Sequence, residues 1–437
     1  MKPARLAVAV AWTCVLAFSL RAQHQPGAVL WIYDATNTIT SSPAIGPDGT
    51  IYVANSTGLF AVTNNSGMAS NKWIFPGSGY NASATVSLDG TIYWAAGDGD
   101  MHAISAGGSL KWSLTGGGDA AIGYDGNIYF GGYGELRAVS PGGSVQWSRP
   151  GDFSSPVIGL DGTIYVGGST GTPPDMRLFA FSSDGSLKWA APIDSYSSDS
   201  VAVGASGIYW LGDSLDSFSF AGQQLWSIPA LGHRSPALAL DGTIYYGSGY
   251  YWMLNAVTSA GNPLWGQIPN YPRTDRTTTP AIDAAKMIHY CASNGLFTVN
   301  AQGDIQWGVT VDFIPGGMDT SAAIGPDGTI YAALGSKLYA IYATNRLADA
   351  PWPMFRQNAR HTGKLEFPVL RQSEARVDGN FEFKIYADVG SAQNLEVSTD
   401  LLSWFTLTNV LVTNVPMDFV DLSATNFRTR FYRTVAQ

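Results

Sequence analysis

The chain has almost no cysteine: two in 437 residues, Cys14 and Cys291. Cys14 falls in an N-terminal stretch with the make-up of a secretory leader. Lys2 and Arg5 precede an apolar run, Leu6–Leu20, that is too short for a membrane span, and Ala22 suits the last position of a signal peptide over residues 1–22. Trp12 and Thr13 do not suit the lipid-attachment motif that Cys14 would need. With the leader removed, Cys291 stands alone and no intramolecular disulfide can form, although an oxidising compartment would permit one. Charge is scarce too, at 13% of residues, with 24 basic against 33 acidic side chains. Losing Lys2, Arg5 and Arg21 with the leader takes the formal charge from −9 to −12. That balance argues against nucleic acid and anionic membrane surfaces as partners. Beyond the leader no run is long and apolar enough to span a bilayer. The five histidines (24, 102, 233, 289, 361) do not cluster at metal-ligand spacing, and no Ser-His-Asp, HExxH or phosphate-loop pattern occurs.

What the chain does have is glycine, 50 residues, and aromatics, 12%, a mixture suited to packed β-sheet with tight turns. It also has a repeat. DGTIY occurs at Asp48–Tyr52, Asp89–Tyr93, Asp161–Tyr165, Asp241–Tyr245 and Asp327–Tyr331, and DGNIY at Asp125–Tyr129. Degraded copies stand at Ala205–Tyr209 and Ala285–His289. The steps between the last positions are 41, 36, 36, 44, 36, 44 and 42 residues. A period near 40 built of short strands marks a propeller blade. In Ser235–Trp265, Pro236–Leu240 reads as a first strand, Asp241-Gly242 as a two-residue turn, and Thr243–Gly247 as a second strand. Met253–Val257 reads as the third, and Pro263–Trp265 opens the fourth. Trp31, Trp73, Trp112, Trp147, Trp189, Trp226, Trp265 and Trp307 hold the fourth-strand position, where a large aromatic packs one blade on the next. The first tryptophan precedes the first DGTIY, and Trp352 lies between prolines that suit no paired strand. Val29–Tyr33 is therefore expected to complete the last blade by pairing with Leu338–Tyr342. Cys291 falls inside a strand pattern and reads as a buried thiol.

The unit LFAFSSDGSLKW (Leu178–Trp189), with its relatives HAISAGGSLKW (His102–Trp112) and RAVSPGGSVQW (Arg137–Trp147), resembles the repeat of the pyrroloquinoline-quinone-like propellers. That family includes eight-bladed quinoprotein alcohol dehydrogenases and a non-enzymatic propeller of the outer-membrane assembly machinery. The resemblance implies an all-β, eight-bladed propeller of four-stranded antiparallel blades over residues 28–345. It does not extend to the cofactor. Those dehydrogenases hold adjacent cysteines over the quinone, and one mature cysteine cannot supply the pair, so PQQ is not expected.

Alternate loops of such a ring lie on opposite faces. The first-to-second and third-to-fourth turns are short and uniform (Asp48-Gly49, Gly107-Gly108, Gly142-Gly143, Asp184-Gly185, Asp327-Gly328). The other connections are longer and varied (Gly168–Asp175, Asp194–Asp199, Gly247–Trp252, Pro269–Thr279, Asp312–Asp319), and function is expected on that variable face. Tyr250, Tyr251, Trp252, Tyr271, Arg273, Asp275 and Arg276 form its richest candidate set, able to stack on and hydrogen-bond a sugar or peptide. Asp98 and Asp100 in GDGD supply part of a Ca2+ shell.

The segment PWPMFRQNARHTGK (Pro351–Lys364) resembles a stretch that borders such propellers in secreted bacterial proteins, and residues 346–366 read as a strap over the ring edge and a linker. From 367 to 437 the pattern changes. Phe381–Val389, Leu395–Asp400, Trp404–Leu411 and Arg430–Val435 alternate as strands of a small β-sandwich, similar to a C-terminal module of large secreted proteins of environmental bacteria. The expectation is a secreted or periplasmic, cell-surface, non-catalytic monomer that binds protein or glycan as a scaffold. A carbohydrate-active or other hydrolytic enzyme using the variable face is the alternative, and a PQQ-dependent dehydrogenase the third.

Overall fold

The computed structural model describes residues 24–436 apart from 66, 78–81, 172–174, 195–200, 231, 233, 249–253, 268–277, 293, 313–319, 366–368, 376–380, 387–391, 400–402, 414–416 and 424–430. Among the described residues every regular element is a β-strand. Eight antiparallel sheets, each with a core of four strands, form the ring. Blade 6 shows the plan, with Ala237–Leu238 innermost, then Ile244–Gly247, Leu254–Val257 and Pro263–Gln267 outermost. The innermost strands are two residues long in most blades and fully buried, while the outermost alternate between exposed and half-buried. Blade 4 adds a short strand, Asp152–Phe153, on the outer half of Ile164–Ser169.

The DGTIY sentence is a turn followed by a packing residue. Asp241 Oδ1 accepts the N–H of Thr243, and Gly242 takes the left-handed conformation at φ 84° that the turn requires. The residue that closes the motif then meets the fourth-strand tryptophan of its own blade. All eight pairs are present at 5.7–6.1 Å between ring centroids, with His289 standing in for tyrosine in blade 7. Six of the eight tryptophans also reach forward. The Nε1–H groups of Trp73, Trp112, Trp147, Trp189, Trp226 and Trp265 donate to Ala106, Pro141, Ser183, Phe220, Ser259 and Ala301 in the next blade's third-to-fourth turn, at 2.8–3.0 Å. The glycine of that turn lies flat on the indole: a Cβ on Gly143 would stand 2.7 Å from Trp112 Cγ.

Ring closure matches the sequence expectation. Val29–Asp34 pairs antiparallel with Lys337–Ile341, with Tyr33 opposite Leu338, and becomes the fourth strand of blade 8. Gly27 donates to the Tyr342 carbonyl and lies under Trp307, so the two chain segments together build the turn on which blade 7 docks. A polar belt crosses the closure nearer the axis. Ser321 N–H donates to Ser42 Oγ, Ser42 N–H to Ser83 Oγ, and Ser83 N–H to Asp119 Oδ1 (2.9, 3.0 and 2.7 Å).

The C-terminal residues form two three-stranded sheets. One is Val369–Ala375, Phe381–Tyr386 and Met417–Asp421; the other is Phe405–Leu411, Ala392–Ser398 and Phe431–Ala436. Ile385, Leu395 and Val412 are the buried core between them.

Candidate functional site

On the uniform face the carboxylates belong to the frame. Asp48, Asp89, Asp161 and Asp327 each accept the N–H and the hydroxyl of the threonine two residues on. Lys72, Lys111, Lys188 and Lys286 pair with Asp48, Asp89, Asp161 and Asp241. Burial pushes these four carboxyls up, and the hydrogen bonds and lysine charges outweigh it and hold them below the usual carboxylate range. They are fixed acceptors and not proton carriers near neutrality.

The strap is not laid along the outer edge. It crosses the mouth of the ring on this face and plugs it. Trp352, Met354, Phe355, Arg356 and His361 are almost wholly buried. The carbonyls of Trp352, Pro353, Ala359, Arg360, Thr362 and Gly363 accept the N–H groups of Leu238, Ile282, Ile45, Val86, Ile122 and Ile158, one from the innermost strand of each of six blades. Arg356 donates to the carbonyls of Pro156 and Ala120, so its guanidinium is a clamp between blades 3 and 4. Burial, with the Arg356 charge beside it, pushes the His361 imidazole down to about 3, so His361 is neutral at ordinary pH. Arg356, Gln357 and His361 all adopt positive φ (54°, 77° and 56°). Such backbone persists only where surrounding contacts enforce it.

Two cavities flank the plug. One, about 290 Å3, is lined by Leu88, Asp89, Tyr124, Asp125, Arg360 and Lys364, with the Lys364 ammonium 4.9 Å from the Tyr124 ring centre. The other, about 500 Å3, lies between the strap and blades 8 and 1. On the variable face a cavity of about 520 Å3 opens between blades 7 and 8, beside Asp312, Lys337 and Tyr339.

The aromatic and charged set on the variable face, Tyr250, Tyr251, Trp252, Tyr271, Arg273, Asp275 and Arg276, lies outside the described residues. Asp98 and Asp100 are described. Asp98 accepts the Asp100 N–H at 3.0 Å and meets His102 Nε2 at 3.2 Å, while Asp100 accepts the Ser113 hydroxyl at 3.1 Å. Among the described residues no group of three His, Cys, Asp or Glu side chains is arranged to hold a metal ion.

One arrangement looks catalytic. His289 Nε2 is 3.5 Å from Asp283 Oδ2, and Nδ1 is 2.8 Å from Thr298 Oγ1. All three side chains are at most 2% exposed, so no substrate reaches them, and the group is the repair of a degraded repeat. Cys291 is fully buried, and burial pushes its thiol up to about 12, which leaves it unreactive. The adjacent cysteine pair that the quinoprotein resemblance implies is not formed among the described residues. Cys291 has no cysteine partner and no solvent path, and the strap fills the ring's mouth on the uniform face. Among the described residues no helix is long and apolar enough to cross a membrane.

The fold is an eight-bladed β-propeller of four-stranded antiparallel blades, built from a repeat similar to that of the pyrroloquinoline-quinone-like propellers. Residues 18–207 match the family model described as outer membrane protein assembly factor BamB. Among solved structures, BamB from Moraxella catarrhalis matches at TM-score 0.58 and 14% identity, over 72% of this chain and 100% of that one. The computationally designed Ika8 protein matches at TM-score 0.56 and 12% identity, over 72% and 100%. Quinohemoprotein alcohol dehydrogenase from Comamonas testosteroni matches at 0.54 and 14%, over 80% and 79%. These likenesses establish the fold. No curated protein sequence matches the chain significantly.

Proposed function

We propose that this chain is a secreted, non-catalytic propeller that binds a protein partner at the cell envelope, through its variable-loop face. The observation that carries the reading is where the ionisable groups are spent. The turn aspartates, the strap arginine Arg356, the buried histidines and Cys291 all serve the frame. Length and chemical variety are left to the connections on the other face. The likeness of residues 18–207 to an outer-membrane assembly factor supports a protein partner over a small substrate. Tyr250, Tyr251, Trp252, Tyr271, Arg273, Asp275 and Arg276 are the proposed contacts, with aromatic and arginine anchors of the kind that dominate interfaces.

The test is cross-linked capture from the native envelope with the wild-type chain and with Tyr251→Ala/Trp252→Ala. A partner retained by the first and lost by the second supports the reading. Stabilisation by a glycan array, or turnover of a glycoside, with no protein captured would replace it by a saccharide-binding or hydrolytic role.

A further inference from the structure

The ring is a circle made from an open chain, so its two ends must be held together. One clasp is the pairing of Val29–Asp34 with Lys337–Ile341 inside blade 8. The strap supplies another, because it follows the blades in ring order across the same seam. On one side, Trp352 accepts from Leu238 of blade 6, and Pro353 and Arg346 accept from Ile282 and Ala284 of blade 7, at 2.7–2.8 Å. On the other side, Ala359, Arg360, Thr362 and Gly363 accept from Ile45, Val86, Ile122 and Ile158 of blades 1 to 4, at 2.6–2.9 Å. The Leu365 N–H then returns to the Ile158 carbonyl at 3.0 Å. One continuous segment thus ties blades 6 and 7 to blades 1 to 4 without using the N-terminal strand.

The two clasps differ in burial. The strand lies at the rim: Trp31 is its one buried residue, and Val29 and Ile32 are 40% and 47% exposed. The strap lies at the axis, with Trp352, Met354, Phe355, Arg356 and His361 at most 2% exposed. Exposed pairings with few buried contacts open at lower free energy than buried ones. We propose that the strap is a second clasp of the ring, so that the N-terminal strand can leave blade 8 while the ring stays closed. What opens is then a sheet edge, Lys337–Ile341, on an intact propeller: a row of unpaired backbone groups of the kind that another strand can meet. The device does not depend on what the variable face binds.

The test is native-state hydrogen exchange on the full chain at low denaturant, following two sets of amides. The first set pairs Val29–Asp34 with Lys337–Ile341; the second is the six strap-bonded amides of Ile45, Val86, Ile122, Ile158, Leu238 and Ile282. The first set should exchange about tenfold faster than the second, or more, through an opening that leaves the second protected. Phe355→Ala removes buried strap contacts that exist whether or not the strand is paired. It should speed the strap-bonded amides about a hundredfold or more, the scale of a truncated buried phenylalanine. It should leave the strand amides unchanged within about threefold, since strand release does not release the strap. With a single clasp, release of the strand would be opening of the ring. Both sets would then share one protection in the wild type, and Phe355→Ala would speed them equally. Either result overturns the proposal, as do strap-bonded amides that exchange ahead of the strand. If Phe355→Ala does not fold, the comparison of the two sets in the wild type decides alone.

Discussion

Gly143 and Gly162 sit in turns with nearly the same backbone, at φ 88° and 76°, yet they have opposite surroundings. Nothing lies within 4 Å of a Cβ built on Gly162, whereas one on Gly143 would meet Trp112 at 2.7, 2.9 and 3.1 Å. Alanine at either site adopts left-handed backbone, which costs about 1–2 kcal/mol. At Gly162 that is the whole effect. At Gly143 the indole must also retreat by about an ångström to reach ordinary contact, a misfit of roughly 1–3 kcal/mol. Its retreat stretches the 2.9 Å bond from Trp112 Nε1 to the Pro141 carbonyl, worth about another 1 kcal/mol. The expected cost is therefore about 1–2 kcal/mol for Gly162→Ala and about 3–6 kcal/mol for Gly143→Ala. At roughly 2 °C per kcal/mol for a large domain, Tm falls by about 3 °C in the first and about 9 °C in the second. Calorimetry measures the shifts, and near-ultraviolet circular dichroism reports the Trp112 environment in the folded state. Equal shifts with an unchanged aromatic spectrum would mean that the glycine serves the turn alone, and that docking of one blade's tryptophan on the next is not what the repeat conserves energy for.

His361 makes the fold acid-sensitive. Its folded-state value of about 3 lies below the unfolded one near 6.5, so the unfolded chain binds a proton that the folded chain refuses, and stability falls as pH drops through that window by about 1.4 kcal/mol per unit. His361→Gln should flatten the stability curve between about pH 6 and 4; an unchanged slope would refute the assignment. In blade 7, Asp283 stands where Gly46, Gly123, Gly159, Gly204 and Gly325 make room for a tyrosine ring edge, 2.7–3.3 Å from where their Cβ would be. His289→Tyr alone should therefore destabilise by about 2 kcal/mol, and Asp283→Gly in the same chain should recover most of it, as a double-mutant denaturation cycle would read. Truncation after Leu365, which is buried against blades 4 and 5, keeps the strap and should leave the ring's Tm unchanged within about 2 °C. Truncation after Asn345 removes six inner hydrogen bonds, and at about 1 kcal/mol each should lower it by roughly 10 °C; similar melting of the two would show that the plug is dispensable.

The ring was legible because each blade repeats a local sentence. Asp-Gly needs its turn, Ile-Tyr its buried strand, and tryptophan its partner one blade on, so counting tryptophans gave the number of blades. Closure by Val29–Asp34 was legible from the same count, since one fourth strand was missing at the end and one extra stood at the start. Blade 4's additional strand was not, because Asp152–Phe153 is two residues of unremarkable sequence. It is held by its neighbours: a Cβ on Gly131 or Gly168 would run into Phe153. In the C-terminal module the alternating runs gave four strands, while Val369–Ala375 and Met417–Asp421 carry too little alternation to announce themselves.

The strap shows why the candidate site was harder to read than the fold. Its sequence announces an exception, with prolines around Trp352 and a run of polar residues, and a polar run reads as a surface linker. Arg356 and His361 are nonetheless buried, and what buries them is not visible in the strap itself. The innermost strands of six blades offer N–H groups with no sheet partner, and a segment that supplies carbonyls at that spacing is drawn into the ring however polar its side chains are. The demand lies in residues up to some 300 positions away, so no window of local sequence contains it. The same demand explains the positive φ at Arg356, Gln357 and His361: the carbonyls are aimed at fixed donors, and the backbone bends to keep them there.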